Sequence, residues 1–265
     1  MDDDLQLALR AARAGAAVGL RHFRALAPLA RESKADGSVV TAADRAVEAT
    51  VREVLAAARP CDAVLGEEGG QTGDGDRRWI VDPIDGTAQF VTGDDRWLVL
   101  VALQQEGETV VGVAAVPAQD TVWWAQRGRG AWRATLAGAG KVRIRTARDR
   151  GESLTGSRLG VVPVDEQVRP AERDMIAGLT AVTTVTAWPT HAALLVAAGE
   201  LDLAVQTRGE LWDFASTALI VEEAGGRYSG LLDGRRQPGP GPSLFARTAA
   251  LHTAALAAVS PDARS

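Results

Sequence analysis

The stretch Trp79-Ile80-Val81-Asp82-Pro83-Ile84-Asp85-Gly86-Thr87 says most about how this chain folds. Its apolar start predicts a buried strand, and two carboxylates follow in a tight turn, with Pro83 fixing the backbone between them. Two buried carboxylates a few ångströms apart repel each other and would normally hold a proton. A divalent cation removes this conflict, and a site rich in oxygen ligands suits Mg²⁺ best. The stretch therefore predicts a magnesium site, beside a helix start at Gly86 and Thr87 whose free N–H groups would bind a phosphate.

Two more acidic groups follow predicted strands elsewhere in the chain. Glu67-Glu68 comes after the apolar run 63–65 and before Gly69-Gly70, and Asp213 lies at the start of a predicted helix. Carboxylates from three separate strand ends fit one pocket that holds several metal ions. Each group also has a plainer interpretation, since Glu67-Glu68 and the Asp82–Asp85 run suit solvated turns and Asp213 suits a helix cap.

The composition narrows the class of protein. The chain has 265 residues, of which 46% are hydrophobic and 24% charged, as expected for a folded protein. Its net charge of −5 argues against nucleic-acid binding. Cys61 is the only cysteine, and the three histidines lack the spacing of zinc ligands, which excludes a disulfide framework and a thiolate zinc site.

The location is predicted from the N-terminus and from the apolar runs. The opening Met-Asp-Asp-Asp has the wrong charge for a secretory or mitochondrial signal. The most apolar stretch, 192–205, is interrupted by Glu200 and Asp202, so no membrane span is expected. We therefore expect a cytoplasmic protein with no membrane partner.

Residues 1–150 are predicted to form an α+β half. Residues 3–24 have helical apolar spacing, the turn-rich segment 33–38 follows as a loop, and Thr41-Ala-Ala-Asp44 resembles a capping box that opens a second helix. Helix capping alone would explain the presence of Asp44, without a catalytic role. An antiparallel meander is then predicted from the strand-like runs 97–103, 109–116 and 121–125.

Residues 151–265 are predicted to form an α/β half, because strand-like and helix-like runs alternate. Such alternation is typical of a sheet that helices cover on both faces. The loop 233–242 is rich in Pro and Gly, and an Ala-rich helix at 247–259 closes the half. The alternating elements are predicted as strand 158–162, helix 168–179, strand 182–187, helix 190–199, strand 201–205 and helix 213–224.

These motifs resemble those of the inositol monophosphatase superfamily. The resemblance rests on Gly66-Glu-Glu, on Asp82-Pro-Ile-Asp-Gly-Thr87 and on the late Trp212-Asp213, in that order. It extends from Lys34 to Glu223-Ala-Gly-Gly226 and so covers most of the chain. Among its branches, the bacterial histidinol-phosphate phosphatases look most similar. The resemblance implies a layered α-β-α-β-α sandwich with an α+β and an α/β half, a homodimer, and a site between the halves.

The resemblance also implies roles for the motif residues in a magnesium-dependent phosphatase. Asp44 and the Thr87 hydroxyl would orient and deprotonate the attacking water, and Glu67 would assist them. Gly86, Thr87 and Lys34 would contact the substrate, a small phosphate ester. Two or three Mg²⁺ ions would be held by the ligand set Glu67, Glu68, Asp82, the Ile84 carbonyl, Asp85 and Asp213.

The chain departs from the family pattern where the substrate should bind. Gln206 stands where relatives have a Glu that reads a hydroxyl or an ammonium group, and Trp188-Pro189 replaces small or acidic residues. The run Ala88-Gln89-Phe90 replaces a usual Asn-Phe pair. Histidinol phosphate or inositol phosphate is therefore the first expectation. A nucleoside monophosphate, stacked on Trp188, or a sugar phosphate is the alternative.

Two functions without catalysis are the alternatives to an enzyme. A metal-binding regulatory pseudoenzyme would keep the ligands and lack turnover. A structural metal protein would bury the ligands and lack an open cleft.

Overall fold

The computed structural model describes residues 3–26, 37–147 and 151–259. The chain divides into two compact units, Met1–Arg143 and Ile144–Ser265. No helix in the described ranges is both long and apolar enough to span a membrane.

The first unit is built on an eight-stranded sheet in the order β2-β1-β3-β4-β5-β6-β7-β8. Strands β3 to β7 pair antiparallel with their sequence neighbours, so the predicted meander is confirmed, while β1 runs parallel to β3. The elements are α1 (Asp4–Leu26), α2 (Gly37–Ala58), β1 (Ala63–Gly66), β2 (Gly70–Thr72), β3 (Arg77–Asp85), α3 (Thr87–Thr92), β4 (Leu98–Gln105), β5 (Glu108–Val116), β6 (Thr121–Gln126), β7 (Ala131–Thr135) and β8 (Val142–Ile144).

Helices α1 and α2 share one apolar core with this sheet. Leu7 of α1, Val47 and Val51 of α2, and Trp79 and Val99 of the sheet are fully buried in it. Their spacing along the helices places the apolar side chains on one face, as the sequence predicts. The burial of that face fixes α2 against the strands that carry the acidic motifs.

The predicted start of the second helix is wrong. Helix α2 begins at Gly37, so Thr41 and Asp44 lie inside it and Thr41-Ala-Ala-Asp44 is not its capping box. The four residues of the helix before Thr41 are Gly37-Ser-Val-Val, which have low intrinsic helix propensity, so propensity does not account for the earlier start. Asp44 therefore does not cap α2, and helix capping no longer competes with catalysis as the explanation for this residue.

The second unit is built on a five-stranded sheet in the order β10-β9-β11-β13-β12. Strands β10, β9 and β11 are parallel, whereas β13 pairs antiparallel with both β11 and β12. The elements are β9 (Arg158–Val162), α4 (Pro170–Val182), β10 (Thr184–Val185), α5 (Ala192–Ala197), β11 (Leu203–Gln206), α6 (Leu211–Glu223), β12 (Arg227–Gly230), β13 (Ser243–Ala246) and α7 (Ala249–Ala258).

Two features of this half were not predicted. The strands β12 and β13, on either side of the loop 233–242, are four residues each and carry too few residues for a clear alternation. The strand predicted at 182–187 is only Thr184–Val185, because α4 continues to Val182. The other predicted strands and helices of this half are confirmed, with ends that shift by a few residues.

Candidate metal and phosphate site

Strand β3 delivers the two carboxylates of the deciding stretch from the interior of the first unit. Asp82 is 2% and Asp85 9% exposed, and an oxygen of each lies within 4.8 Å of one on the other. The predicted tight turn between them is instead a bulge, since Asp82 pairs with Leu100 and Asp85 with Leu98. Pro83 has no N–H to donate to a ladder and is tolerated at a bulge. The bulge places both carboxylates together without ending the strand.

The electrostatics of this pair favour a bound cation. Burial raises the pKa of Asp85 to about 7, because the charged form loses its solvation. A carboxylate that costs so much to ionise is stabilised by a divalent cation beside it. The donor set is oxygen only, as Mg²⁺ prefers, so the residues fit the predicted metal.

Gly86 and Thr87 turn the chain from β3 into the short helix α3. Gly86 has φ 88° and ψ 42°, a left-handed conformation that strains any residue with a Cβ. The Thr87 side chain returns toward the strand, and its hydroxyl donates a hydrogen bond to the Ile84 carbonyl oxygen, 3.2 Å away. The ring of Phe90 packs edge-on against Trp97, with centroids 4.9 Å apart, and this holds α3 on the sheet.

The acidic pair Glu67-Glu68 forms the exposed turn between β1 and β2. The backbone N–H of Glu67 donates to the Val81 carbonyl oxygen, 3.3 Å away, which brings the turn beside the residue that precedes Asp82. Glu68 lies 3.6 Å from the highly exposed Arg45. Glu67-Glu68 thus forms the exposed turn that the plainer interpretation predicts, and this turn is compatible with a metal-ligand role for both carboxylates.

Asp44 lies on α2, close enough to Glu68 and Glu67 for their charges to act on its carboxyl group. It is 5% exposed, and burial raises its pKa to about 7, with the negative charges of Glu68 and Glu67 adding to the effect. A carboxylate with a pKa near neutrality can accept a proton from water and release it again. The first unit therefore gathers Asp44, the Glu67-Glu68 turn and the Asp82–Thr87 stretch.

Glu48 and Arg52, which no sequence motif points to, hold the acidic turn. The buried Glu48 carboxylate accepts hydrogen bonds from the backbone N–H groups of Glu68 (2.8 Å) and Gly69 (2.9 Å). Arg52 donates to the same carboxylate through Nε, at 2.7 Å. The available signal was the spacing, since Glu48 follows Asp44 by one helical turn and so shares its face.

Asp213 is the third residue of α6 in the second unit, and there it does cap the helix. Its Oδ2 accepts a hydrogen bond from the Glu210 N–H at 2.6 Å. The capping interpretation is thus observed, and it is compatible with a ligand role. Lys34 lies outside the described residues.

The two predicted substrate contacts of the second unit are both buried. Trp188 is 6% exposed, and its indole N–H donates to the Val161 carbonyl oxygen at 2.9 Å. Such burial is typical of a core residue and gives no support to a stacking role. Gln206 ends strand β11, is 5% exposed and lies against His191.

His191 caps helix α5 and determines what Gln206 faces. Its Nδ1 accepts a hydrogen bond from the Ala193 N–H, 3.3 Å away, so the neutral ring carries its proton on Nε2. Burial lowers the pKa of His191 to about 4, although the contact with Gln206 acts in the opposite direction. Gln206 and His191 therefore form a neutral polar pair at neutral pH.

The family model described as "Inositol monophosphatase family" matches residues 1–262. The chain belongs to the inositol monophosphatase family. It is accordingly a phosphatase, and metal dependence is general to the family.

Relatives agree with this family assignment. The chain is 42% identical to a histidinol-phosphatase of Mycobacterium tuberculosis, over 94% of this chain and 95% of the relative. It is 37% identical to a histidinol-phosphatase of Streptomyces coelicolor, over 90% and 89% of the two chains. A solved inositol monophosphatase from Zymomonas mobilis superposes with a TM-score of 0.80 at 28% identity, covering 97% of each chain. The predicted layered α/β fold class of this family is thereby confirmed.

Proposed function

We propose that this family member is a Mg²⁺-dependent phosphomonoesterase that hydrolyses a small-molecule monophosphate by direct attack of water. The observation that carries the proposal is the buried Asp82–Asp85 pair on the β3 bulge, with the acidic turn hydrogen-bonded to the same strand at Val81 and Asp44 within reach of the charges of that turn. Carboxylates this close and this buried are stabilised by a divalent cation.

The proposed ligands are Glu67, Glu68, Asp82, the Ile84 carbonyl, Asp85 and Asp213. The place of Asp213 in this set rests on the order of the family motifs. When bound, two or three Mg²⁺ ions would neutralise the phosphate and the charge that develops during in-line displacement.

The chain's own residues would orient the water and take its proton. We assign the Asp44 carboxylate as acceptor of the proton from the attacking water, since its pKa of about 7 suits such a base. The Thr87 hydroxyl would hold the water between Asp44 and the phosphorus, with Glu67 assisting from the acidic turn. The N–H groups after Gly86 would bind the phosphate oxygens. The phosphorus–ester oxygen bond then breaks, and the leaving alkoxide takes a proton from solvent.

Histidinol phosphate is the substrate we place first. The similarity to two proteins named histidinol-phosphatase supports it. The neutral Gln206–His191 pair weighs against strong selection for an ammonium group, so inositol phosphate, sugar phosphates and nucleoside monophosphates remain in the test set. We further propose that the protein is cytoplasmic and that it forms a homodimer. Light scattering of the purified protein would test the dimer.

A phosphatase panel tests the activity. Purified protein would be assayed against histidinol phosphate, inositol 1-phosphate, glycerol phosphate, a sugar phosphate and a nucleoside monophosphate, with Mg²⁺ and with excess chelator. Turnover that needs the metal and is lost in Asp85→Asn is the expected result. Metal binding without turnover of any ester would instead identify the regulatory pseudoenzyme.

A further inference from the structure

The Glu67-Glu68 turn is exposed, yet its backbone is bound to buried groups of helix α2. Both oxygens of the Glu48 carboxylate are used, Oε2 by the Glu68 N–H at 2.8 Å and Oε1 by the Gly69 N–H at 2.9 Å. Glu48 itself is 2% exposed. A buried carboxylate that receives two backbone N–H groups fixes the conformation of the segment that donates them.

Arg52 binds the other side of the same hairpin. Its Nε donates to Glu48 at 2.7 Å, while Nη1 donates to the Thr72 hydroxyl at 3.0 Å and Nη2 to the Gly70 carbonyl oxygen at 2.5 Å. One guanidinium group therefore joins the buried carboxylate to strand β2. Because the guanidinium fork is rigid, it orients Glu48 as well as neutralising it.

The glycines of the turn leave room for this carboxylate. A Cβ on Gly66 would lie 2.3 Å from Glu48 Oε1, and a Cβ on Gly69 would lie 2.7 Å from it. Neither glycine has the left-handed φ that marks Gly70, at 62°. Gly66 and Gly69 are thus explained by the position of Glu48 rather than by turn geometry.

We propose that Glu48, oriented by Arg52, is a positioning residue that holds the Glu67-Glu68 turn against Asp44 and so sets the affinity for metal. Asp44 and Glu48 are one turn apart on a single helix, so α2 carries the proposed base and the anchor of the turn on one rigid element. The inference rests on the proposed ligand role of that turn. Partners that orient metal ligands typically change metal affinity by roughly 10- to 100-fold when they are removed.

The test is direct Mn²⁺ binding, followed by the electron paramagnetic resonance signal of the free ion. Glu48→Gln keeps the size of the side chain but turns an amide N–H₂ toward one of the backbone donors and loses the charge that pairs with Arg52. We expect the Mn²⁺ dissociation constant to rise about tenfold or more. The activity should need correspondingly more Mg²⁺, with most of kcat regained at saturating metal.

Asp202→Asn is the matched control. Asp202 is also buried, and it also accepts a backbone N–H, from Arg158 at 2.9 Å, and pairs with an arginine, Arg247, at 2.7 Å. It lies in the second unit. We expect this variant to lose thermal stability like Glu48→Gln, but to keep its Mn²⁺ affinity. If Glu48→Gln lowered the Mn²⁺ affinity only through a general loss of stability, Asp202→Asn would lower it to a similar extent.

Two further variants keep the inference testable if Glu48→Gln does not fold. Arg52→Gln should weaken Mn²⁺ binding by several-fold and add little on top of Glu48→Gln, because both act through one carboxylate. Gly66→Ala displaces that carboxylate without removing it and should act in the same direction. If the folded variants at Glu48, Arg52 and Gly66 keep their Mn²⁺ affinity while Glu67→Gln binds Mn²⁺ more weakly, the positioning role of Glu48 is overturned and the metal role of the turn stands. Unchanged affinity in Glu67→Gln as well would overturn the proposed metal role of the turn.

Discussion

The hydroxyl of Thr87 donates a hydrogen bond to the backbone carbonyl oxygen of Ile84, 3.2 Å away. The contact ties the first residue of α3 to the bulge of β3, between the two carboxylates. The hydroxyl proton is thereby used, and the lone pairs of the oxygen can accept a hydrogen bond from a water molecule. Thr87 can therefore orient a water toward Asp44 while it holds the Ile84 carbonyl in place.

Thr87→Ala should lower kcat with little change in KM. Removing the hydroxyl leaves the water without one of its two partners, and general-base assistance is typically worth roughly 100- to 10,000-fold. Steady-state kinetics on the best ester of the panel measures both constants. Thr87→Ser is the control and should keep most of the activity. A change confined to KM would make Thr87 a substrate-binding residue only.

Asp85→Asn should abolish most of the turnover and leave the fold intact. The substitution removes one ligand charge from the buried pair, so we expect kcat to fall by orders of magnitude while circular dichroism is unchanged. Excess chelator should have the same effect on the unmodified protein. Full turnover in chelator would exclude the metal mechanism, whereas near-normal kcat in the variant would remove Asp85 from the site.

Asp44 and Asp85 should each lower the stability of the metal-free protein as the pH rises from about 4 to about 7, against an opposite contribution from the buried His191 and the partly buried His252, whose pKa is lowered to about 4. Burial raises the pKa of both Asp44 and Asp85 to about 7, so the folded state keeps protons that the unfolded chain has already released. Stability that these groups contribute below the unfolded pKa is therefore lost as the pH passes toward 7. Thermal melts of chelated protein at about pH 5 and about pH 8 measure the slope. Compared with the unmodified protein, Asp44→Asn and Asp85→Asn should each shift the difference in melting temperature in favour of the higher pH, and added Mg²⁺ should raise the melting temperature most at the higher pH.

The sequence predicted most strands and helices because they depend on local spacing, whereas the layered fold class was predicted from the resemblance of the acidic motifs to a known family. The apolar run before Asp82 and the strands 97–125 have periodicities that are read directly. The start of α2 and the bulge at Pro83 were missed, since each depends on what the neighbouring segment does. Glu48 was missed for a further reason: its partners, the N–H groups of Glu68 and Gly69, are twenty and twenty-one residues away.

Trp188→Ala should destabilise the protein and affect every phosphate ester alike. The indole is 6% exposed and bonded to the Val161 carbonyl oxygen, so its removal leaves a cavity in the second unit. Truncating a buried aromatic side chain typically costs about 3–5 kcal/mol. Chemical unfolding gives the stability, and the ester panel gives the activity. A selective loss for ring-bearing substrates would restore the stacking role that the sequence suggests.

Gln206→Glu should shift the substrate preference toward histidinol phosphate. The family resemblance implies an acid at this position, and a carboxylate pairs with the ammonium group of histidinol phosphate, which a neutral amide cannot do. A hydrogen bond to a charged group is worth about 1.5–3 kcal/mol, so kcat/KM for histidinol phosphate relative to a nucleoside monophosphate should rise by roughly tenfold or more. His191 complicates the substitution, because the introduced carboxylate would raise the pKa of the buried ring that now lies near 4. Gln206→Glu combined with His191→Gln is therefore the control that removes this competing partner, and the shift should be larger in the double variant. If neither variant changes the ratio of the two substrates, or if the unmodified enzyme already prefers histidinol phosphate by several orders of magnitude, the ammonium group is read by other residues.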